Sequence, residues 1–269
     1  MKLKFKQIRV LEYNLLTIIR GAKLTYESPN ERTKDFVKNI KTYFEQERNI
    51  VIYDKRNIIK IIEFERQKYV VKSFKMPHLL NQIVYRFWRE SKAKRSFDNS
   101  RRLKTLGVET PEPIGYVEFP TRFRFKESFY ISAFFDFDFE IRAVFADEEF
   151  EERESILKQF VEFTYGLHQK KIYHIDYSPG NILIKKGAYR YVFSIIDVNR
   201  MKFLEMDSDL RMKSLAKLTN NIEDNRFMAE YYAKISDLDK SMLWDRLEFY
   251  LNEQQKYLAN KKRLKKLKG

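Results

Sequence analysis

Tyr173-His174-Ile175-Asp176-Tyr177-Ser178-Pro179-Gly180-Asn181-Ile182-Leu183-Ile184 is followed, after a short interval, by Phe193-Ser194-Ile195-Ile196-Asp197-Val198-Asn199-Arg200-Met201. The pattern is H-x-D-x-x-x-x-N, an apolar strand, a turn, and a second apolar strand that ends in an aspartate. Phosphoryl transfer needs its parts in this order: a base on a loop, an asparagine that reaches a metal, and an aspartate that holds the metal under the phosphates. On this reading Asp176 is the catalytic base and orients a hydroxyl for in-line attack. Asn181 offers a neutral oxygen to Mg²⁺, and Asp197 binds the metal bridging the phosphates, since magnesium prefers hard oxygen ligands. Pro179 and Gly180 shape the turn, and His174 braces the loop by hydrogen bonding. An Asx-rich turn before a hairpin would need the same residue types. Leu167-His168 upstream and the Ile195-Ile196-Asp197 strand end favour the chemical reading.

Upstream, Lys72 follows Tyr69-Val70-Val71 in a β-rich run. A strand lysine in this setting can reach the α- and β-phosphates of ATP. Lys68 and Lys75 are neighbouring competitors, and an exposed lysine on an alternating strand is the plainer alternative. Such a lysine usually pairs with a helix glutamate, for which the stretch Asn81 to Leu106 offers Glu90 and, as a shorter substitute, Asp98. No glycine-rich phosphate loop is present: the turn near Asp54 to Asn57 lacks glycine, and the chain holds only seven.

The periodicity around these residues predicts an α+β fold of two lobes. Residues 1–45 read as an N-terminal extension. Residues 46–137 read as a small antiparallel-sheet lobe, with strands at Val51 to Asn57, Asn57 to Phe64, Lys68 to Phe74, Ile114 to Glu118 and Phe129 to Phe135. A long helix over Asn81 to Leu106 stops at Gly107. Residues 138–269 read as a mostly helical lobe. Its first helix spans Glu149 to Gln169 with an acidic first turn, and it continues helical from Asp207 into a frayed basic tail, Lys261 to Gly269.

A net charge of +15 on 269 residues predicts an anionic partner: nucleotide, phosphorylated glycan, membrane surface or nucleic acid. The absence of cysteine excludes disulfides and thiolate chemistry. With three histidines and no cysteine, a structural zinc site is not expected. No apolar run approaches the ~18–20 residues of a bilayer span, and Glu12 and Asn14 interrupt the N-terminal apolar stretch. A cytoplasmic protein is expected. The eight basic residues between Arg86 and Lys104, and the basic tail, are candidate contacts with an anionic leaflet. No helix-turn-helix, RNP or zinc pattern supports a nucleic-acid partner.

Taken together, Arg56-Asn57-Ile58-Ile59-Lys60, Val70-Val71-Lys72-Ser73-Phe74-Lys75, Ser91-Lys92-Ala93-Lys94-Arg95-Ser96, Gly107-Val108-Glu109-Thr110-Pro111-Glu112-Pro113-Ile114, the His174–Ile184 loop and Ile196-Asp197-Val198-Asn199-Arg200-Met201 resemble the lipopolysaccharide kinase (Kdo/WaaP) family, with its protein-kinase-like fold. The resemblance runs over roughly residues 50 to 205. It implies ATP- and Mg-dependent phosphorylation of a sugar hydroxyl, on Kdo or heptose, in the lipopolysaccharide inner core or a lipid-linked acceptor. The expected place is the cytoplasmic face of the inner membrane. Residue by residue it matches Lys72 to the nucleotide lysine, Asp176 to the catalytic aspartate, and Asn181 and Asp197 to the metal ligands. Three departures stand out. The helix glutamate falls near Ser96, Asn199 takes the place of the D-F-G glycine, and no A-P-E segment follows Asp197. The rival readings are a small atypical protein kinase and a non-catalytic pseudokinase module. Retention of Lys72, Asp176, Asn181 and Asp197 together argues against the latter.

Overall fold

A computed structural model describes residues 17–19, 22–26, 31–55, 57–74, 90–120 and 125–266. The chain divides into two compact units: residues 1–97 with 113–134, and residues 98–112 with 135–269.

The first unit is built on an antiparallel sheet. Its described strands are β1 (Thr17–Ile19), β2 (Ala22–Tyr26), β3 (Ile50–Asp54), β4 (Asn57–Phe64), β5 (Gln67–Phe74), β6 (Pro113–Pro120) and β7 (Phe125–Ala133), in the order β1-β2-β6-β7-β5-β4-β3. The apolar β7 is central, between β6 and β5. β4 and β5 join through Glu65 and Arg66, both at positive φ (52° and 63°), the geometry that lets a two-residue turn follow the twist of its strands. Residues 17–26 and 31–44, read from sequence as part of an extension, supply two strands and two helices to this unit. The helices are α1 (Glu31–Lys38) and α2 (Ile40–Phe44). Phe36, Val37, Ile40 and Phe44 are buried in one core with Ile62, Tyr69, Val71, Val117, Phe129 and Ile131. Side chains alternate across a strand, so Lys72 and Phe74 share the face opposite Tyr69 and Val71. Phe74 packs there with Ala93, Phe97, Tyr116 and Tyr130.

The helix expected over Asn81 to Leu106 is observed as α3 (Lys92–Thr105), and residues 81–89 lie outside the described residues. Ser91 opens it, its Oγ accepting from Lys94 N at 3.0 Å. Gly107 closes it at φ 65°, with Gly107 N donating to the Lys104 carbonyl and Val108 N to the Leu103 carbonyl, both at 2.9 Å. This is a Schellman end, and it needs the left-handed conformation that glycine adopts without steric cost.

The second unit is mostly helical. β8 (Phe139–Glu140) leads to α4 (Ile141–Ala146), α5 (Arg153–Gln169) and β9 (Ile172–His174). β10 (Ile182–Lys186), β11 (Tyr191–Ile195) and β12 (Met201–Phe203) precede α6 (Ser208–Leu215), α7 (Ile222–Ser236) and α8 (Lys240–Lys266). β11, β10 and β8 form one small sheet, and β12 pairs with β9. One core runs through it, from Ile156, Phe160 and Leu167 on α5 to Met228 and Tyr232 on α7 and Leu243 and Leu247 on α8. Two helix ends differ from expectation. α5 begins at Arg153 rather than Glu149, because Phe150 packs against Phe139, ring centroids 5.0 Å apart, and holds the preceding acidic residues in a turn. The basic tail expected to fray is helical as far as Lys266. Among the described residues no helix is long and apolar enough to cross a membrane.

Candidate active site

The residues of the opening motif lie on the connections between four short strands of the second unit. β9 ends at His174 and β10 begins at Ile182, so residues 175–181 form a tight loop. Tyr177 N donates to the His174 carbonyl at 3.2 Å, and Asn181 N donates to the Ser178 carbonyl at 2.9 Å. The Asn181 side-chain amide donates to the Asp176 carbonyl at 2.8 Å. Tyr177 anchors the loop from below. Its ring is buried and its hydroxyl lies 2.8 Å from Thr164 Oγ1, which donates to the Phe160 carbonyl at 2.9 Å. Burial pushes the Tyr177 phenol well above its usual range, so it stays a neutral anchor.

The β10–β11 register pairs Ile182 with Ile195, and Ile196 N donates to the Asn181 carbonyl at 3.0 Å. This pairing sets Asn181 beside the end of β11, one residue before Asp197. Asp197 adopts a left-handed backbone (φ 56°, ψ 44°), a region tolerated better by Asp and Asn than by most side chains. Asn199, in the place of the D-F-G glycine, donates from Nδ2 to Asp197 Oδ1 at 2.6 Å. His174 is buried, and its Nε2 donates to the Ile196 carbonyl at 3.1 Å. Burial holds its pKa below the usual value, against the opposing pull of that carbonyl. It therefore ties the loop to the hairpin as a neutral ring.

The structure thus brings Asp176, Asn181 and Asp197 together in one unit. With its amide nitrogen committed to the Asp176 carbonyl, Asn181 has its side-chain oxygen as the atom that could meet a cation. Among the described residues no group of three His, Cys, Asp or Glu side chains is placed to hold a metal. An amide oxygen with one carboxylate is a sparse, hard set, which fits a magnesium ion that completes its shell with waters and phosphate oxygens.

Several residues at this site carry no signal in the motif. Arg200, quoted above only within the stretch that ends Asp197-Val198-Asn199-Arg200-Met201 and given no role, donates from Nη1 to both Asp176 oxygens, at 2.9 and 3.2 Å. The β12–β9 register, Met201 opposite His174, brings it there. Lys217, just beyond α6, donates to the Ile175 carbonyl at 2.8 Å and to the Tyr173 hydroxyl at 3.2 Å. Burial lowers its pKa, partly offset by Asp176. The Arg142 guanidinium lies over Gly180, where an added Cβ would fall 1.7 Å from its Nη2. Thr110 Oγ1 donates to the Ile195 carbonyl at 2.7 Å, and Asn99 Nδ2 to the Val198 carbonyl at 2.7 Å. The Gly-Val-x-Thr-Pro segment and α3 therefore brace the backbone on both sides of Asp197.

Lys72 lies in the first unit, on β5, paired in register with Ile59 and Tyr130. Its Nζ is 5.3 Å from the Phe74 ring centre. Of its competitors, Lys68 sits over the Phe134 ring at 5.8 Å, and Lys75 lies outside the described residues. Glu90 forms an ion pair with Lys94 at 2.6 Å. Ser96, where the helix glutamate was expected, turns its hydroxyl back to the Lys92 carbonyl at 2.9 Å.

The sequence profile described as the lipopolysaccharide kinase (Kdo/WaaP) family matches residues 44–241. No curated protein matches the chain by sequence. Among solved structures, one described as WaaP in complex with acyl carrier protein is similar at TM-score 0.58 and 16% identity, over 86% of this chain and 98% of that one. A gentamicin–APH(2")-IIa complex gives TM-score 0.49 at 14% identity, over 80% of this chain and 85% of that one. The bifunctional kinase-methyltransferase WbdD gives 0.44 at 15%, over 73% and 43%. The first of these likenesses shows the kinase-like α+β fold.

Proposed function

Since the chain belongs to the lipopolysaccharide kinase (Kdo/WaaP) family and is a kinase, we propose that it transfers the γ-phosphoryl group of ATP to a sugar hydroxyl, on Kdo or heptose, of the lipopolysaccharide inner core. The observation that supports this most directly is the loop-to-hairpin join. The Asn181 side-chain amide is tied to the Asp176 carbonyl while the Asn181 main-chain carbonyl accepts from Ile196 N, one residue before Asp197. The loop that carries Asp176 is thereby tied, through one side-chain and one main-chain bond, to the strand end that leads to Asp197.

In this reading Asp176 accepts the hydroxyl proton as the sugar oxygen attacks in line. Arg200 fixes the carboxylate by gripping both of its oxygens. Asn181 and Asp197 are the residues that would hold magnesium, and Asn199 orients Asp197. Magnesium, when bound, neutralises charge developing on the phosphate oxygens. Lys72 is assigned to the nucleotide phosphates. The acceptor is placed at the cytoplasmic face of the inner membrane, in keeping with the net charge of +15.

The test is incubation of the protein with magnesium and γ-labelled ATP, with Kdo-lipid A, core lipopolysaccharide and a generic protein offered in parallel. Label on the lipid-linked sugar, lost in Asp176→Ala, supports the proposal. Label on the protein acceptor alone would replace it with a protein kinase.

A further inference from the structure

α8 is 27 residues long, about 40 Å at 1.5 Å per residue. Only its first half belongs to the body of its unit. Leu243, Leu247 and Leu251 are buried, and Met242, Trp244 and Tyr250 pack against the same core. Past Leu251 no described side chain is buried. Yet the apolar pattern does not stop where the packing stops. Tyr257 and Leu258 repeat Tyr250 and Leu251 seven residues on, two helical turns along the same face. They are 63% and 46% exposed.

The same stretch is strongly cationic. Residues 252–269 contain seven Lys or Arg and one acidic residue, Glu253. Lys261 stands one turn from Tyr257, with its Nζ 6.0 Å from the ring centre. An exposed aromatic and aliphatic step flanked by cations suits the boundary between lipid headgroups and acyl chains, where a tyrosine ring buries its body and keeps its hydroxyl wet. A second copy of the chain would fit the apolar step less well, because it would bring the two cationic ends together.

We propose that the unpacked half of α8 docks on an anionic lipid surface, with Tyr257 and Leu258 at the headgroup boundary and Lys256, Lys261 and Arg263 facing lipid phosphates. The contact lies on the membrane rather than across it. It draws on no catalytic residue and stands whether or not the acceptor is a sugar.

Co-sedimentation of the full chain with phosphatidylcholine vesicles, with and without phosphatidylglycerol, tests this. Partition onto the anionic vesicles is expected, reduced by salt and absent on neutral ones. Lys261→Glu/Arg263→Glu should weaken it roughly tenfold or more. Tyr257→Ser/Leu258→Ser should weaken it several-fold, and unchanged melting curves would show that both variants are folded. Absence of partition, equal partition onto neutral vesicles, or full partition by the charge-reversed chain would overturn the proposal. So would a dimer, without vesicle binding, that dissociates on replacing Tyr257 and Leu258; that result would assign the face to a second copy.

Discussion

Arg200 and Asp176 are joined through a single guanidinium nitrogen that reaches both carboxylate oxygens, at 2.9 and 3.2 Å. The pair is half-exposed, with side-chain exposures of 53% and 37%. Such a pair adds at most ~1 kcal/mol to stability, so under the proposed mechanism its value lies in orienting the Asp176 carboxylate. We predict that Arg200→Met lowers kcat about 10- to 100-fold with little change in melting temperature, and that Asp176→Asn lowers it about 10²- to 10⁴-fold. Steady-state kinetics with calorimetry checks both. An Arg200→Met enzyme with wild-type kcat would show that the pair does not position the base.

Asn199 holds one oxygen of Asp197 at 2.6 Å. With Asp197 as the proposed magnesium ligand, Asn199 is the partner that orients it, and loss of such a partner typically weakens metal affinity about 10- to 100-fold. Asn199→Ala should therefore raise the magnesium concentration needed for half-maximal transfer by that factor and recover activity at high magnesium. A rate reduced equally at every magnesium concentration would argue against this role.

His168 is buried, and Arg211 donates to Tyr232 Oη at 3.3 Å while His168 Nδ1 lies 2.9 Å from that oxygen. Burial, with Arg211 in second place, lowers the His168 pKa to about 3. Its folded pKa is thus depressed below the unfolded value of about 6.5. The unfolded chain takes up protons first, so stability is full above that value and declines as pH falls toward about 3. A single such group contributes a slope of about 1.4 kcal/mol per pH unit between the two values. Urea unfolding between about pH 6.5 and 5 stays above the carboxylate range, and should show stability falling. His174 shifts in the same direction, so His168→Asn should reduce the slope without abolishing it.

Arg153 and Asp224 pair at 2.5 Å, with Asp224 only 4% exposed. Removing one member of a buried pair leaves the other charge without compensation, at a cost of about 3–5 kcal/mol. Arg153→Met should approach that cost in denaturant unfolding, because it leaves the buried Asp224 carboxylate without its partner. Arg153→Met/Asp224→Leu should cost less than Arg153→Met alone, since no buried charge is left over.

Much of the candidate site was legible because the residues proposed for it lie close together in the chain. Asp176 and Asn181 lie on one loop, so their spacing survives in the linear order, and the apolar runs of β10 and β11 mark the hairpin that precedes Asp197. The two-lobed α+β reading rested on similarly local signals: period-two strands, a glycine stop at Gly107, and long helical runs beyond Asp207. The start of α5 was misplaced because acidic residues favour a helix N-terminus in general, whereas here the docking of Phe150 on Phe139 decides where the helix begins.

The sequence by itself determined the kinase class, the α+β fold and the order of the elements, because each depends on residue types a few positions apart. Only the tertiary structure decided what surrounds the proposed site residues. Arg200 reaches Asp176 because β12 folds back on β9. Lys217 grips the loop from beyond a separate helix, and Thr110 braces the strand end from another segment. α1 and α2 cover the sheet from a stretch that looked peripheral. These relations join residues from about twenty to more than eighty positions apart, and no local propensity encodes them. They arise when burial of the two cores brings distant segments together, after which each buried polar group must find its partner.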